Sequence, residues 1–134
     1  MLCGAQGLGT LAIDLNRTHA TNPLWPRHAR FHLVWQTVSY AMLAALEVAM
    51  IVVPGAYREQ RFYLAAMLAS IPMLSFFGAW VARSLYGGAL HDPNGIPPLR
   101  AVVFGAERQI DMNFAVEVVA LSMLAGIVVL YRLR

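Results

Sequence analysis

The fold of this chain is decided by the stretch HLVWQTVSYAMLAALEVAMIVVP at residues 32–54. Apolar residues fill most of it, and Glu47 is its single carboxyl group. A helix needs about 20 apolar residues to cross a bilayer, so this stretch is long enough to span one. Residues 62–82 and 112–131 have a similar length and composition, and arginines lie near the ends of all three stretches. The sequence therefore predicts three membrane-spanning helices.

The composition of the whole chain agrees with a lipid environment. Of its 134 residues, 59% are hydrophobic and 13% are charged, against about a quarter charged in soluble domains. The mean hydropathy is +0.58. A soluble fold of this size leaves about 40% of its chain surface exposed, which would place too much apolar surface in water. We therefore expect an integral membrane protein in one domain, residues 1–134, with membrane lipids as partners.

The charged and sulfur-containing residues exclude several other classes of protein. All ten basic residues are arginine, and guanidinium groups suit phosphate headgroups at membrane edges, although a bias in genome composition would give the same pattern. The arginines are scattered at the predicted helix ends rather than along one basic stripe, so we expect no nucleic-acid partner. Cys3 is the one cysteine, which excludes an intramolecular disulfide and a cysteine-based metal site.

The first residues of the chain complete the predicted fold. The stretch MLCGAQGLGTLAIDL is apolar but short, and its glycines would let it pack closely on a neighbour. We count it as a first helix and leave open whether it fully spans the membrane. The predicted class is all-α, an integral membrane four-helix bundle with a short first helix and a long loop between helices three and four. The predicted helices are residues 2–15, 32–54, 62–82 and 108–132, and the loop is residues 84–107.

The long predicted loop carries its own signals. Asp92-Pro93-Asn94-Gly95 is a strong turn sequence. The segment LRAVVFG at residues 99–105 has two interpretations. It either dips into the membrane interface or forms a short strand-like or re-entrant piece.

Helix alternation sorts the connections onto two sides, A and B, of the predicted bundle. Residues 16–31 and 84–111 lie on side A, whereas residues 55–60 and both termini lie on side B. The larger number of arginines on side A favours that side as cytoplasmic. The higher density of arginines on side B favours side B instead, and so does the tendency of bundles with an even number of helices to keep both termini in the cytoplasm. We expect the termini in the cytoplasm. All four histidines lie on side A: His19, His28, His32 and His91.

Polar residues on the second predicted helix form one stripe. Glu47 lies roughly 22 Å along this helix at 1.5 Å per residue. A carboxyl group in hydrocarbon costs about 2.5–3.5 kcal/mol on insertion scales, so it is usually paired or functional. The stripe must therefore face protein or water rather than lipid. Its members fall within an arc of about 100°, and they are His32, Gln36, Ser39, Tyr40 and Glu47.

A second intramembrane carboxyl group lies on the last predicted helix. Asn113 and Glu117 are four residues apart and share a face, with Asp111 just before them. Both intramembrane acids also have a structural interpretation, in which they form interhelical hydrogen bonds. The partners would be Ser70 or Ser75 for Glu47, and Gln36 or Tyr40 for Glu117.

These residues define the predicted site. The chain contains no HExxH, P-loop, GxSxG or CxxC motif, so we assign no cofactor and no metal ligand to it. A lesser alternative is a metal or haem site built from the four histidines, since His28 and His32 are four residues apart. The candidates for acid–base catalysis are Glu47, Glu117, His32 and Asp111. The candidates for substrate binding are Gln36, Tyr40, Asn113, Trp35, Trp80 and His91.

Two motifs resemble a known family. They are DLNRTHATNPLWPRHARFHLVWQ at residues 14–36 and LHDPNGIPP at residues 90–98. They resemble a poorly characterised family of small, mostly bacterial, four-helix membrane proteins that look like distant relatives of the DoxX-like bundles. The resemblance covers most of the chain, although the first helix is shorter here than in the family pattern. It implies a four-helix fold, a place in the bacterial inner membrane and side A as the functional side, and it supplies no settled activity.

The sequence leaves two functions open. In the first, a polar intramembrane cavity binds a lipophilic small molecule such as an isoprenoid, a sterol-like lipid or a quinone. Glu47 or Glu117 would then catalyse isomerisation, cyclisation or epoxide opening without a cofactor. In the second, the protein is a non-catalytic subunit that docks on partner helices or lipids, as a homo-oligomer or in a larger membrane complex. A cavity that reaches either acid would favour the first.

Overall fold

Helices dominate the computed structural model, which describes residues 2–93 and 96–134. The chain is mostly helical, as predicted, but the all-α class is incomplete because a small sheet lies between the last two helices. The helices are α1 (Leu2–Asp14), α2 (Arg27–Val52), α3 (Arg58–Ala82) and α4 (Met112–Arg132). The remaining elements are a 3-10 turn at Arg83–Leu85 and the strands β1 (Leu99–Val103) and β2 (Ala106–Ile110).

Three of these helices have the length and apolar composition needed to cross a membrane. They are α2, α4, and α3 together with its 3-10 extension, Arg58–Leu85. The prediction of three such segments is confirmed. The first helix, α1, has 13 residues, which is roughly 20 Å at 1.5 Å per residue and shorter than the hydrocarbon core of a bilayer.

The helices begin and end where backbone chemistry requires, rather than where the apolar stretches stop. Helix α2 starts before the predicted residue 32, with Pro26 at its N-cap, because proline's missing N–H would have no partner there. It ends before residue 54 because the following proline favours an extended Val53. The predicted start of α4 at residue 108 is wrong. Residues 108–110 belong to β2, and Asp111 caps α4 by accepting a hydrogen bond from the backbone N–H of Phe114 at 3.1 Å.

The two strands form a hairpin on side A. They pair antiparallel with Val103 opposite Ala106, and the turn residues Phe104 and Gly105 have φ of 51° and 76°. Two-residue turns with positive φ match the twist of paired strands. The predicted loop at residues 84–107 is therefore wrong over this segment, and the strand-like interpretation of residues 99–105 is the correct one. Of the predicted turn at residues 92–95, residues 94 and 95 lie outside the described part.

Successive helices run antiparallel. At one end of α1, Asp14 accepts a hydrogen bond of 3.0 Å from the hydroxyl of Thr37 near the start of α2. At the other end, Cys3 lies beside Glu47, further along α2. Helix α3 packs against both α2 and α4. Aromatic pairs join opposite ends of α3 and α4, namely Phe62–Tyr131 and Trp80–Phe114.

The hydrophobic core is small and built largely from alanine. Many large apolar side chains on the outer helix faces are exposed, among them Met42, Met67 and Leu130. Extensive apolar surface of this kind is rare on soluble monomers, so it agrees with a lipid environment. The buried hydrophobic residues of the described part are Ala44, Ala65, Ala69, Met73 and Leu124.

Candidate functional site

Glu47 is fully buried between helices and has no hydrogen-bond partner among the residues that the structure describes. Its side chain is 0% exposed, and neither carboxyl oxygen bonds to another described residue. The Cys3 thiol lies beside it without the geometry of a full hydrogen bond. Ser70, one of the structural partners considered above, donates its hydroxyl to the carbonyl of Met67 at 2.7 Å instead. The carboxyl group is therefore a buried polar group that the fold leaves unsatisfied.

Gln6 of α1 is a second unsatisfied group among the described residues, and it was not predicted. Both polar atoms of its amide are buried and have no partner within the described residues. Gln6 lies one helical turn from Cys3 on α1, on the face that turns toward α2 and the interior. A lone amide in the apolar stretch at the start of the chain is the only sequence signal for it. We call Cys3, Gln6 and Glu47 the buried polar site.

Close contact between α1 and α2 covers this site. A Cβ atom at Gly7 would lie 2.8 Å from the Cβ of Ala44, so the two backbones meet with only small residues between them. Such small-residue contacts are typical of helix pairs in membranes. Burying a polar group without a partner costs about 1–3 kcal/mol, and more if it is charged. The unpaired Glu47 carboxyl group therefore destabilises the fold at the contact between α1 and α2.

The residues of the predicted polar stripe on α2 do not share one environment. His32, Gln36 and the neighbouring Trp35 are exposed, and Gln36 donates a hydrogen bond of 2.8 Å to the Tyr40 hydroxyl. At 100° per residue, Glu47 lies roughly midway around the helix between His32 and the buried Ala44. The edge of the α1 contact thus runs through the stripe. Helix α1 therefore covers Glu47 and leaves His32 exposed.

Three other predicted residues meet at the start of α4. His91 Nδ1 lies 3.5 Å from the Asp111 carboxylate, and the Asn113 amide donates to the carbonyl of Leu90 at 3.0 Å. Because Asp111 also caps α4, these contacts fix the chain before the hairpin to the helix after it. They form a structural junction on side A.

The two remaining candidate residues, Trp80 and Glu117, take no part in the polar contacts around Asp111. Trp80 packs its ring against Phe114, with centroids 5.2 Å apart. Glu117 is half-buried, one turn beyond Asn113, and its side chain makes no hydrogen bond to another described residue. Neither is brought into contact with the buried polar site.

The four histidines occupy three separate places. The Nε2 atoms of His28 and His32 are 3.0 Å apart on the exposed face of α2. The His19 ring packs edge-on against Trp25, 5.3 Å away, and His91 contacts Asp111. Within residues 2–93 and 96–134, no group of three or more His, Cys, Asp or Glu residues is placed to hold a metal ion. The geometry thus gives no support to the metal or haem alternative.

Two cavities among the described residues lie on side B. The larger, of about 780 Å³, is an open groove between the start of α3 and the end of α4. The smaller, of about 70 Å³, lies beside it against the end of α2. Neither is lined by Glu47 or Glu117. Neither of these two cavities therefore reaches the buried polar site.

Comparison of this chain with known proteins finds no relative. No family model, curated protein or solved structure matches the chain. The resemblance to DoxX-like bundles stays a prediction, and the functional argument depends on the geometry alone.

Proposed function

We propose that this is an integral membrane protein of the bacterial inner membrane whose four helices form a bundle and bind a lipophilic small molecule at the buried polar site. The observation that carries the proposal is Glu47, which is fully buried and whose carboxyl oxygens have no hydrogen-bond partner within residues 2–93 and 96–134. Gln6 adds an unpaired amide to the same region. A ligand with one hydroxyl or carbonyl group would satisfy these groups, while its apolar body would take the place of lipid or of α1.

The chemistry available to such a site is acid–base chemistry. A neutral Glu47 donates one hydrogen bond and accepts others, and the Gln6 amide both donates and accepts. Together they would orient an oxygen atom of an isoprenoid, a sterol-like lipid or a quinone. Proton transfer from Glu47 to that atom is the first step of an isomerisation, a cyclisation or an epoxide opening. The proposal assigns no catalytic role to His32 or Asp111, because the first is exposed and the second caps α4.

A second candidate function is that of a non-catalytic membrane subunit. It is favoured by the lining of the two cavities described above, which in neither case includes Glu47. Helix α4 also exposes large apolar residues along its length, including Val116, Val119 and Met123, and a partner helix would cover them as well as lipid does. In this case the Glu47 carboxyl group would be satisfied only in the assembled complex.

The compounds or proteins that purify together with this chain distinguish the two proposed functions. We expect mass spectrometry of organic extracts from purified wild type to show one enriched lipophilic compound. Glu47→Leu and Gln6→Leu should each lower its amount about tenfold or more, which corresponds to the loss of about 1.4 kcal/mol of binding free energy. Glu107→Leu and Gln109→Leu change the same residue types at exposed positions of β2, so they should leave the amount unchanged.

The opposite result would support the subunit function. If all four variants extract with the same compounds as wild type, the ligand proposal is wrong. A larger complex that purifies with wild type and dissociates only in Glu47→Leu would show that a partner protein satisfies the carboxyl group.

A further inference from the structure

The groove on side B has a preformed aromatic base and mixed charges. It is lined by Glu59, Tyr63, Val128, Tyr131, Arg132 and Arg134. The Tyr131 ring stacks on Phe62 with centroids 3.7 Å apart and meets the Tyr63 ring edge-on at 5.9 Å. These contacts hold the second turn of α3 against the last turn of α4. The volume of about 780 Å³ lies within the range of small-molecule sites, about 300–1,000 Å³.

The charges that line the groove are not used by the fold. Arg132 and Arg134 form no hydrogen bond or ion pair with another described residue, and the Glu59 carboxylate is likewise unpaired in residues 2–93 and 96–134. Arg61 shows the contrast, because its guanidinium donates to the carbonyl of Val53 at 2.6 Å and so satisfies the end of α2. The groove therefore presents cationic and anionic groups that are both free to meet a ligand.

The position of the groove matches the headgroup layer of a bilayer. It lies where α3 begins and α4 ends, and both helices are long and apolar enough to cross a membrane. Tyrosine and arginine are common at that depth. This step depends on the proposed membrane position of the two helices, but it is independent of any ligand at the buried polar site.

We propose that this groove binds the headgroup of a glycerophospholipid that carries both a phosphodiester and a primary amine. Guanidinium groups bind phosphate oxygens with paired hydrogen bonds, so Arg132 and Arg134 would hold the phosphodiester. Glu59 accepts hydrogen bonds from the ammonium group, and the tyrosine rings add cation–π attraction. Val128 continues the wall toward the apolar part of α4, where the acyl chains would lie.

The three common headgroup types differ in the groups that this site needs. A phosphatidylglycerol headgroup has the phosphate without the amine, so Glu59 would face it without a cation. A phosphatidylcholine headgroup has a trimethylammonium group, which cannot donate a hydrogen bond to a carboxylate. Phosphatidylethanolamine satisfies both ends of the groove. Selectivity for the amine thus depends on Glu59, and affinity for the phosphate depends on Arg132.

Lipid titrations of the purified full-length chain, followed by native mass spectrometry, test the proposal. We expect phosphatidylethanolamine to bind about tenfold more tightly than phosphatidylcholine or phosphatidylglycerol. Arg132→Gln should weaken all three lipids, whereas Glu59→Gln should remove the preference for the amine and leave phosphatidylglycerol bound as well or better. Arg100→Gln, at an exposed arginine of β1, is the matched control and should change nothing.

Two results would overturn the proposal. One is equal binding of the three lipids by wild type, or an amine preference that survives in Glu59→Gln. The other is displacement of the lipid by soluble phosphoethanolamine at equal concentration, which would show that the groove binds a soluble molecule. Glu47→Leu should retain the lipid preference, so failure at the buried polar site and failure at the groove are distinguishable.

Discussion

The α1–α2 pair packs through small residues, whereas the α3–α4 pair packs through aromatic rings at its two ends. Between α1 and α2 the contact is continuous, and Gly7 lies directly against Ala44. Between α3 and α4 the contact is less extensive. It includes the stack of Phe62 on Tyr131 and a ring cluster around Phe114 at the opposite end.

The difference in packing places polar groups in opposite situations. Where the backbones of α1 and α2 approach closely, Glu47 is buried and its carboxyl group has no partner among the described residues. Where rings separate the helices, a groove opens and its arginines remain accessible. A buried unpaired group destabilises the fold unless something binds it, whereas an open charged groove has no comparable effect. We infer that the two halves offer two kinds of site, one closed and one open.

The largest expected effect comes from widening the α1–α2 contact. Gly7→Leu places a bulky side chain where even a Cβ would lie 2.8 Å from Ala44, so α1 should separate from α2. We expect a loss of about 3 kcal/mol in the free energy of unfolding, at the upper end of overpacking effects. Denaturation in mixed detergent micelles, followed by helical circular dichroism, would measure it.

Gly9→Leu is the matched control for this substitution. A Cβ at Gly9 would have nothing within 4 Å, and leucine favours a helix over glycine by several tenths of a kcal/mol. This variant should be as stable as wild type or slightly more stable. Equal losses in both variants would show that α1 does not depend on its contact with α2.

A smaller effect of opposite sign is expected at Glu47. Glu47→Leu removes the unpaired carboxyl group and keeps most of the side-chain volume, so the free energy of unfolding should rise by about 2 kcal/mol. Glu47→Gln keeps a buried polar group and should change stability much less. The same denaturation experiment in ligand-free detergent would compare them.

The sign of the Glu47→Leu effect decides between two descriptions of the α1–α2 half. A gain in stability together with loss of the extracted compound would be a trade between stability and function. A loss of stability would show instead that the carboxyl group has a partner in the folded protein. The closed half would then be an ordinary structural contact.

The three long helices follow from sequence because their cause is local. Length and apolar composition decide whether a helix can cross a bilayer, and both can be read within one segment. Their boundaries are less accessible, because α2 and α3 continue as helices beyond their apolar parts. The sequence does contain an indication of the hairpin. Two residues that include a glycine, Phe104-Gly105, separate two short runs that contain β-branched residues. The hairpin was only one of the alternatives considered for that segment.

The candidate site was less accessible to sequence reasoning, because it depends on which helix covers which face. Periodicity grouped His32 with Glu47 within one arc of α2. The edge of the contact with α1 falls inside that arc, so one is exposed and the other is buried. Gln6 was missed because nothing in the sequence relates the start of α1 to the last third of α2. Tertiary contacts of this kind are decided by Gly7 and Ala44, whose small size is their only signal.

The smallest expected effect tests whether rings truly join the α3–α4 half. We propose a double-mutant cycle with Phe62→Leu, Tyr131→Leu and the double variant. A stacked aromatic pair contributes about 1 kcal/mol beyond the area it buries, so the two substitutions should be non-additive by about that amount. A second cycle pairs Phe62→Leu with Phe104→Leu, whose ring is fully exposed in the hairpin turn, and it should show no coupling. If the first cycle is also additive, the ring contact does not hold α3 against α4. The groove would then lack its preformed aromatic base and the cation–π attraction that the rings add, even if Glu59 and Arg132 still contributed to lipid binding.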